Sequence, residues 1–246
     1  MYILALETTG ALGSVALLDQ EGKVLGYRIC QEPMSHLRNL IPMVDEVLDE
    51  GGVSKNEIDY VAASAGPGSF TGIRIGVTTA RALCQILNLQ GVGVSTLEGF
   101  LRKEEAEQAK ERDVICCAII NARRGQVYGV IDQYMHPQAC MLEDVLTVIK
   151  EKIFPRGKKV LFFGDGIDAY QKLIDDQLER KGIYSFASKD CRYQDAVSVG
   201  KQALKMVEEG KTVDYEGLLP QYMRKAEAEE KLAAGQLPIC KGPRQE

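Results

Sequence analysis

The first hundred residues alternate between short apolar runs and longer amphipathic segments, which is the pattern of a β/α domain. The predicted elements, in chain order, are strands at 2–6, 13–18 and 23–29, a helix at about 36–49, a strand at 60–64, a helix at 71–89 and a strand at 91–95. The predicted order is therefore βββαβαβ, so an antiparallel meander precedes the helices.

The second half repeats that order after a charged helix predicted at 97–112. Its predicted elements are strands at 114–120, 126–131 and 134–142, a helix at 143–153, a strand at 159–163, and helices at 167–180 and 195–209. A recurring βββαβα unit indicates a duplicated α/β lobe. Two such lobes are the plan of the actin-like ATPase and sugar kinase fold, which is ribonuclease H-like. We expect lobes at 1–100 and 101–225, and a flexible tail at 226–246.

The helix predicted at 71–89 is apolar on two sides, which indicates burial on more than one side. One side carries Ile73, Val77, Ala80, Cys84 and Leu87, and the other carries Ile75, Thr79, Ala82, Ile86 and Leu89. Small residues recur at four-residue steps, at Gly72, Gly76 and Ala80, so a second helix could approach closely there. The pattern fits a helix buried in its own lobe and also a helix that docks on another subunit.

Composition and charge exclude several classes of protein. The 246 residues carry a formal net charge of −5, and Lys and Arg do not form the clusters that grip a nucleic-acid backbone. The seven cysteines are odd in number and form no CxxC pair, which indicates reduced thiols. The start MYILALETTG lacks signal-peptide features, and no apolar run is long enough to span a membrane. We therefore expect a cytoplasmic protein.

The two opening hairpins contain the candidate nucleotide site. In this fold each hairpin turn cradles phosphate, and a carboxylate beside it handles magnesium or water. The first lobe offers Glu7, followed by Thr8 and Thr9. The second offers Asn121, whose amide carries no negative charge, and Arg123, whose side chain stands where glycine would admit a phosphate. These residues fit a vestigial nucleotide site or two ordinary turns.

Other candidate chemistry has weaker support. The GPGSFTG segment could bind an anion at a helix start, or could be a tight turn with Ser69 or Thr71 as the helix cap. The two histidines, His36 and His136, have no partner at metal-ligand spacing, so we expect no metal site. The peptidase motifs HExxH and GxSxG are absent.

Several motifs together resemble one bacterial family. In chain order they are GPGSFTGIRIG, ARAL, INARRGQVYG, FFGDG and LLPQYMRKAEAE. They look like the motifs of the tRNA threonylcarbamoyladenosine biosynthesis accessory subunits, the TsaB or YeaZ family, and they extend through nearly the whole chain. The resemblance therefore implies an actin-like protein that supports a tRNA-modifying enzyme.

More specifically, the resemblance implies a non-catalytic scaffold for threonylcarbamoylation of the adenosine beside the anticodon, in tRNAs that read codons starting with A. In that family the protein pairs with the homologous catalytic subunit TsaD, and the P-loop ATPase TsaE completes the assembly. Alone, such proteins form homodimers, and tRNA is reached only through the complex. We expect no cofactor in this chain, although ATP or ADP could bind at the interface of the complex.

Pairing in the family uses the two helices of the first lobe, here 36–49 and 71–89. We expect the partner or dimer interface to include His36, Leu40, Val44, Gly72, Ile73, Arg74, Gly76, Val77, Ala80, Arg81 and Cys84. This interpretation requires that surface to be uncovered in the isolated chain. The alternative function is an active ATP-dependent small-molecule kinase or ATPase, for which Glu7 and Asn121 are the discriminating residues.

Overall fold

Two five-stranded sheets form the frame of the protein, in a computed structural model that describes residues 1–30, 32, 36–179 and 182–224. The first sheet consists of β1 (Tyr2–Glu7), β2 (Ser14–Asp19), β3 (Val24–Ile29), β4 (Tyr60–Gly66) and β5 (Gln90–Ser95). Its order is β3-β2-β1-β4-β5, with β1 antiparallel to β2 and parallel to β4. The tail predicted at 226–246 lies outside the described residues.

The second sheet repeats this arrangement. It consists of β6 (Val114–Asn121), β7 (Gln126–Ile131), β8 (Met135–Met141), β9 (Lys159–Phe163) and β10 (Tyr184–Phe186). Its order is β8-β7-β6-β9-β10, with β6 antiparallel to β7 and parallel to β9. In both sheets the first strand joins an antiparallel meander to a parallel half. The predicted duplication is therefore confirmed, although β10 escaped the sequence pattern.

Helices cover both faces of both sheets. They are α1 (His36–Gly51), α2 (Phe70–Leu87), α3 (Thr96–Phe100), α4 (Glu104–Glu111), α5 (Leu142–Val148), α6 (Gly166–Leu178), α7 (Lys189–Arg192) and α8 (Ala196–Glu208). On the first sheet, α1 and α2 cover one face and α8 covers the other. On the second sheet, α5 and α6 cover one face, and α3 and α4 cover the other.

Each lobe therefore contains a helix from the other half of the chain. This differs from the predicted arrangement, in which the lobes are divided between residues 100 and 101. The helix predicted at 195–209 covers the first sheet, and the helix predicted at 97–112 covers the second, where a turn at 101–103 divides it. The physical reason is that each central strand is buried on both faces. On β1, Leu4 faces α1 and α2 while Ile3 faces α8. An apolar helix face does not reveal which sheet it will cover.

The small residues of α2 fit against the first hairpin turn and not against another helix. A Cβ atom added at Gly72 would overlap the Thr8 carbonyl oxygen, and one added at Gly76 would overlap the Thr8 hydroxyl oxygen. That hydroxyl donates a hydrogen bond of 2.7 Å to the Gly72 carbonyl. Gly68 likewise lies against Thr9, whose carbonyl accepts the Ser69 N–H at 2.9 Å. The glycines therefore let helix and turn approach each other closely.

Residues 213–224, which we call the C-terminal strap, run back over the first lobe after α8. Val213 and Gly91 exchange backbone hydrogen bonds of 3.0 and 2.7 Å beside β5. Leu218 is only 1% exposed and belongs to the core beneath α1 and α2. The strap is therefore an integral part of the first lobe, although it is the last described segment.

The described cysteines are free thiols, and most of them are buried. Desolvation raises the pKa of Cys84 and that of Cys116 to about 11, so both thiols stay protonated at neutral pH. Within the described residues, we find no helix with the length and apolarity that a bilayer span requires.

The contact between α2 and the hairpin turn leads to a prediction. We expect Gly76→Ala to lower the free energy of unfolding by about 1–3 kcal/mol, because the added methyl group would overlap the Thr8 hydroxyl. In a Thr8→Ala background the same change should be nearly neutral, since the Thr8 Cβ would lie 3.6 Å away. A double-mutant cycle measured by urea denaturation gives the coupling directly.

Gly99→Ala in α3 is the matched control, because an added Cβ there meets no atom within 4 Å. It should leave stability unchanged or slightly raised, as alanine is the better helix former. An equal loss for Gly76→Ala with and without the Thr8 hydroxyl would contradict the proposed contact.

Candidate functional site

A cleft of about 780 Å³ lies between the two opening hairpins. Its walls come from 9–11 and 67–70 of the first lobe, 120–124 of the second hairpin and 221–224 of the C-terminal strap. The structure therefore brings Thr9, Asn121 and Arg123 together, as the predicted nucleotide site requires. Glu7 and Thr8 are not part of the cleft wall.

Glu7 is a buried residue at the end of β1, and its carboxylate holds neighbouring segments together by hydrogen bonds. One carboxylate oxygen accepts hydrogen bonds from the backbone N–H and the hydroxyl of Thr9, the latter at 2.7 Å, and the other accepts the Ser64 hydroxyl. The residue is 1% exposed, and this desolvation raises the pKa of Glu7 although the three hydrogen bonds lower it. Its carboxylate therefore joins β1, β4 and the turn instead of reaching a ligand in the cleft.

The second hairpin turn is closed by its own hydrogen bonds. The Asn121 side-chain oxygen accepts the Arg123 N–H at 2.8 Å and the Tyr170 hydroxyl at 3.2 Å. The Gly125 N–H donates to the Tyr170 hydroxyl at 3.2 Å. Two backbone N–H groups that could cradle a phosphate are thus already engaged. Arg123 and Arg124 both have positive φ angles, of 65° and 55°, which only a few per cent of non-glycine residues adopt.

Asp165 supplies the carboxyl group of the second lobe. Gly164 and Gly166 beside it lie so close to the Ile119 carbonyl that a Cβ atom at either position would press against it. One Asp165 oxygen accepts the Asn121 backbone N–H at 2.9 Å, and desolvation raises the pKa of Asp165. A carboxyl with a raised pKa in a cleft is a candidate ligand group. The sequence missed it because GDG alone is too short to identify a site.

The GPGSFTG segment is a tight connection between β4 and α2 that packs against Thr9 of the first hairpin turn. Its Ser69 hydroxyl accepts the Gly72 N–H at 3.2 Å and caps α2, which confirms Ser69 as one of the two predicted caps. Among the described residues, no cluster of three or more His, Cys, Asp or Glu side chains is arranged to hold a metal ion. His136 lies on β8 in the second lobe.

A second candidate site is the surface of α2 that faces away from the sheet. We call it the outer face of α2. It consists of the exposed residues Thr71, Thr78, Ala82 and Ile86 and the half-buried Ile75, which also packs against the core. Ile86 is 78% exposed, and the helix contains no acidic residue. Its only charged residues are Arg74 and Arg81. A solvated helix face normally carries charged side chains, whereas an uncharged face with exposed apolar residues is typical of a surface that another protein covers.

Helix α1 shows an ordinary solvated surface in the same lobe. Its exposed side carries Asp45, Glu46 and Glu50. Arg28 pairs with Glu46 at 2.9 Å and also with Glu50, and Lys55 pairs with Asp45 at 2.9 Å. Exposed ion pairs of this kind add little stability, but they keep the surface hydrated. The uncharged row on α2 is therefore a specific feature of that helix.

Most residues predicted for the partner interface lie in the core of their own lobe. The buried ones are Leu40, Val44, Gly72, Ile73, Gly76, Val77, Ala80 and Cys84. The prediction that this side of α2 is uncovered was wrong, because its glycines fit against Thr8. Arg74 is exposed and Arg81 is half-buried. The side chain of His36, at the start of α1, lies outside the described residues.

The sequence also missed two exposed aromatic residues at the edge of the outer face. Phe70 is 38% exposed and Tyr222 is 42% exposed, and their rings stack with centroids 4.7 Å apart. They lie 152 residues apart in the sequence (222 − 70), so no local pattern could place them together.

The burial of Glu7 predicts how its contribution to stability changes with pH. Its pKa in the folded protein is raised above the ordinary value of 4.5, so the folded state binds the proton more tightly than the unfolded chain. This contribution is greatest below pH 4.5 and falls as pH rises through the folded pKa. We expect the difference in unfolding free energy, wild type minus Glu7→Gln, to decrease across that window.

Urea denaturation of both proteins over a series of pH values measures this difference. Glutamine is the conservative replacement, because its oxygen can accept from Thr9 and its amide can donate to the Ser64 hydroxyl. A difference that increases with pH would mean that the three hydrogen bonds outweigh desolvation, contrary to our account.

Comparisons with known proteins identify the family. The family model of TsaD, tRNA N6-adenosine threonylcarbamoyltransferase, matches residues 33–232. The tRNA threonylcarbamoyladenosine biosynthesis protein TsaB of Bacillus subtilis is 33% identical to this chain, over 94% of the chain and 97% of that protein. The TsaB protein of Escherichia coli is 31% identical, over 94% of the chain and 98% of that protein.

Solved structures agree with this result. YeaZ from Pseudomonas aeruginosa is 26% identical with a TM-score of 0.69, over 90% of this chain and 99% of that one. The ethanolamine utilization protein EutJ of Carboxydothermus hydrogenoformans shares the fold alone, at 11% identity and a TM-score of 0.50, over 83% of this chain and 90% of that one. The predicted two-lobe actin-like fold is thus confirmed, and the chain belongs to the TsaB family of tRNA threonylcarbamoyladenosine biosynthesis proteins.

Proposed function

We propose that this protein is the non-catalytic scaffold for threonylcarbamoylation of the adenosine beside the anticodon, in tRNAs that read codons starting with A. It pairs with a TsaD-type catalytic subunit through the outer face of α2, and a TsaE-type P-loop ATPase completes the assembly. The observation that carries the proposal is this exposed helix face without acidic residues. Without the catalytic subunit, the same face would pair two copies of the chain.

The relation to the transferase family supports pairing between similar lobes. Because residues 33–232 match the TsaD family model, we expect a TsaD-type subunit to carry a comparable pair of helices on its first sheet. Two such layers can pack as a four-helix bundle when small side chains let the helices approach. A standard interface buries about 1,200–2,000 Å². The neighbouring Ile41 on α1, which is 48% exposed, would extend the contact toward that size.

The geometry of the cleft supports a role without bond-making. Glu7 is enclosed by its own hydrogen bonds, and Asn121 offers an amide where a catalytic lobe would offer a carboxylate. The exposed pair Arg123 and Arg124 adds little affinity for a phosphate backbone by itself. We therefore expect tRNA to bind through the partner subunit.

A second candidate function is an ATP-dependent small-molecule kinase or ATPase, and two observations favour it: the volume of the cleft and the position of Asp165. A volume of about 780 Å³ is in the range of small-molecule sites, and Asp165 places a carboxyl group in the wall. Magnesium-dependent ATP binding by calorimetry, with turnover lost in Asp165→Asn, would support this candidate. The scaffold proposal expects no turnover by the isolated chain.

The docking proposal predicts that Ala82→Arg strongly weakens pairing. Ala82 lies between Thr78 and Ile86 on the outer face, so an arginine there would place a long charged side chain inside the interface. We expect the affinity for the catalytic subunit of the same organism to fall at least about 100-fold, measured by calorimetry and size-exclusion chromatography.

The matched control is Gln171→Arg, at an exposed position on α6. This helix follows β9 in the second lobe as α2 follows β4 in the first. Both variants should unfold at the wild-type temperature, because neither position is buried. Normal pairing by folded Ala82→Arg would place the partner elsewhere and refute the docking proposal.

A further prediction separates scaffolding from catalysis. In a reconstituted reaction that measures threonine incorporation into tRNA, omission of this chain should abolish modification, whereas Glu7→Gln should support the wild-type rate. A carboxyl group at position 7 is not needed when the chain acts only by pairing. If Glu7→Gln is folded and paired but inactive, the non-catalytic role is wrong.

A further inference from the structure

Arg74 is held against two aromatic rings at the edge of the outer face of α2. Its guanidinium carbon lies 4.0 Å from the centroid of the Phe70 ring and 5.9 Å from that of Tyr222. The Arg74 Nε donates a hydrogen bond of 2.9 Å to the Tyr222 hydroxyl. This exposed arginine is therefore fixed by stacking and by a hydrogen bond, where most surface arginines change rotamer freely.

The fixed guanidinium keeps unused donors. It has five N–H groups, and the hydrogen bond to Tyr222 uses the one on Nε. Arg74 forms no ion pair with any residue that the structure describes, and α2 itself has no acidic residue. The remaining nitrogens form a planar fork whose geometry matches a carboxylate.

The C-terminal strap fixes the position of Tyr222 from both sides. The Gln221 N–H donates to the Ala65 carbonyl at 2.7 Å, and a Cβ atom on Gly66 would press against the Gln221 carbonyl. On the other side, the Arg224 guanidinium donates to the Ala122 carbonyl at 3.0 Å. Tyr222 is thus positioned by the fold, and it positions Arg74 in turn.

We propose that Phe70, Tyr222 and the C-terminal strap preorganise Arg74 as an anchor for a carboxylate of the subunit that docks on the outer face of α2. This inference rests on the proposed function and adds the chemistry of the partner, which presents an Asp or Glu side chain opposite Arg74. Arginine and aromatic side chains contribute most strongly to protein interfaces. Fixing the arginine before binding also reduces the entropy lost on association.

A protein carboxylate fits this site better than an RNA phosphate does. Binding a nucleic-acid backbone requires clustered cations, whereas the row beside Arg74 is small and uncharged. The chain also has a net charge of −5, which opposes its association with RNA. A single fixed fork beside an uncharged row is typical of a specific contact within a protein interface.

The test compares two conservative variants in calorimetric titrations with the catalytic subunit. Arg74→Lys keeps the charge but loses the fork, and we expect pairing to weaken about 10- to 100-fold. Tyr222→Phe keeps the ring but loses the acceptor for Nε, and we expect weakening of about 3- to 10-fold. Arg112→Gln, at the end of α4 on the second sheet, removes a charge elsewhere and should pair normally.

Thermal unfolding of each variant verifies that the fold is retained, as expected for exposed positions. Wild-type pairing by both Arg74→Lys and Tyr222→Phe would overturn the anchor proposal. If Ala82→Arg still weakened pairing in that case, the proposal that the outer face of α2 is the docking surface would stand. Normal pairing by Ala82→Arg would overturn both proposals. A loss confined to tRNA binding by the assembled complex would assign Arg74 to RNA and would also overturn the anchor.

Discussion

The close approach of α2 to the first hairpin turn determines which side of this helix is buried and which side the first lobe exposes. Gly72 and Gly76 leave room for Thr8, whose hydroxyl bonds back to the helix at 2.7 Å. This contact turns the small-residue side of α2 inward and fixes the helix rotation. The second apolar side is then only partly covered, and its residues Ala82 and Ile86 remain exposed. The proposed partner surface is thus a consequence of how the core is packed.

The same contact shapes the cleft. The loop before α2 closes around Thr9, and Glu7 is held beneath it by hydrogen bonds from Thr9 and Ser64. The polar groups of this hairpin already form hydrogen bonds within the lobe, so the hairpin has a structural role. The C-terminal strap then links this region to the second hairpin through Arg224. The cleft and the outer face of α2 therefore share a border at Phe70 and Tyr222.

Local patterns predicted nine of the ten described strands, the long helices and the duplication, because these depend on residues near in sequence. Ser69 was foreseen as a possible cap for the same reason. The sequence did not predict which side of α2 is buried, because its two apolar sides look alike until the position of Thr8 is known. Nor could an apolar helix pattern show that α8 covers the first sheet. Phe70 and Tyr222 meet only because the strap returns across the lobe, and Asp165 faces the cleft only because its neighbouring glycines touch Ile119.

The central claim is that the outer face of α2 meets the catalytic subunit. Photo-crosslinking tests it most directly, with a photoreactive amino acid placed at Thr78 in the middle of that face or at Gln171 on α6, both exposed. In the complex with the catalytic subunit, we expect position 78 to crosslink to that subunit and position 171 not to. Crosslinking from position 171 alone, or from neither position while the complex remains assembled, would contradict the account.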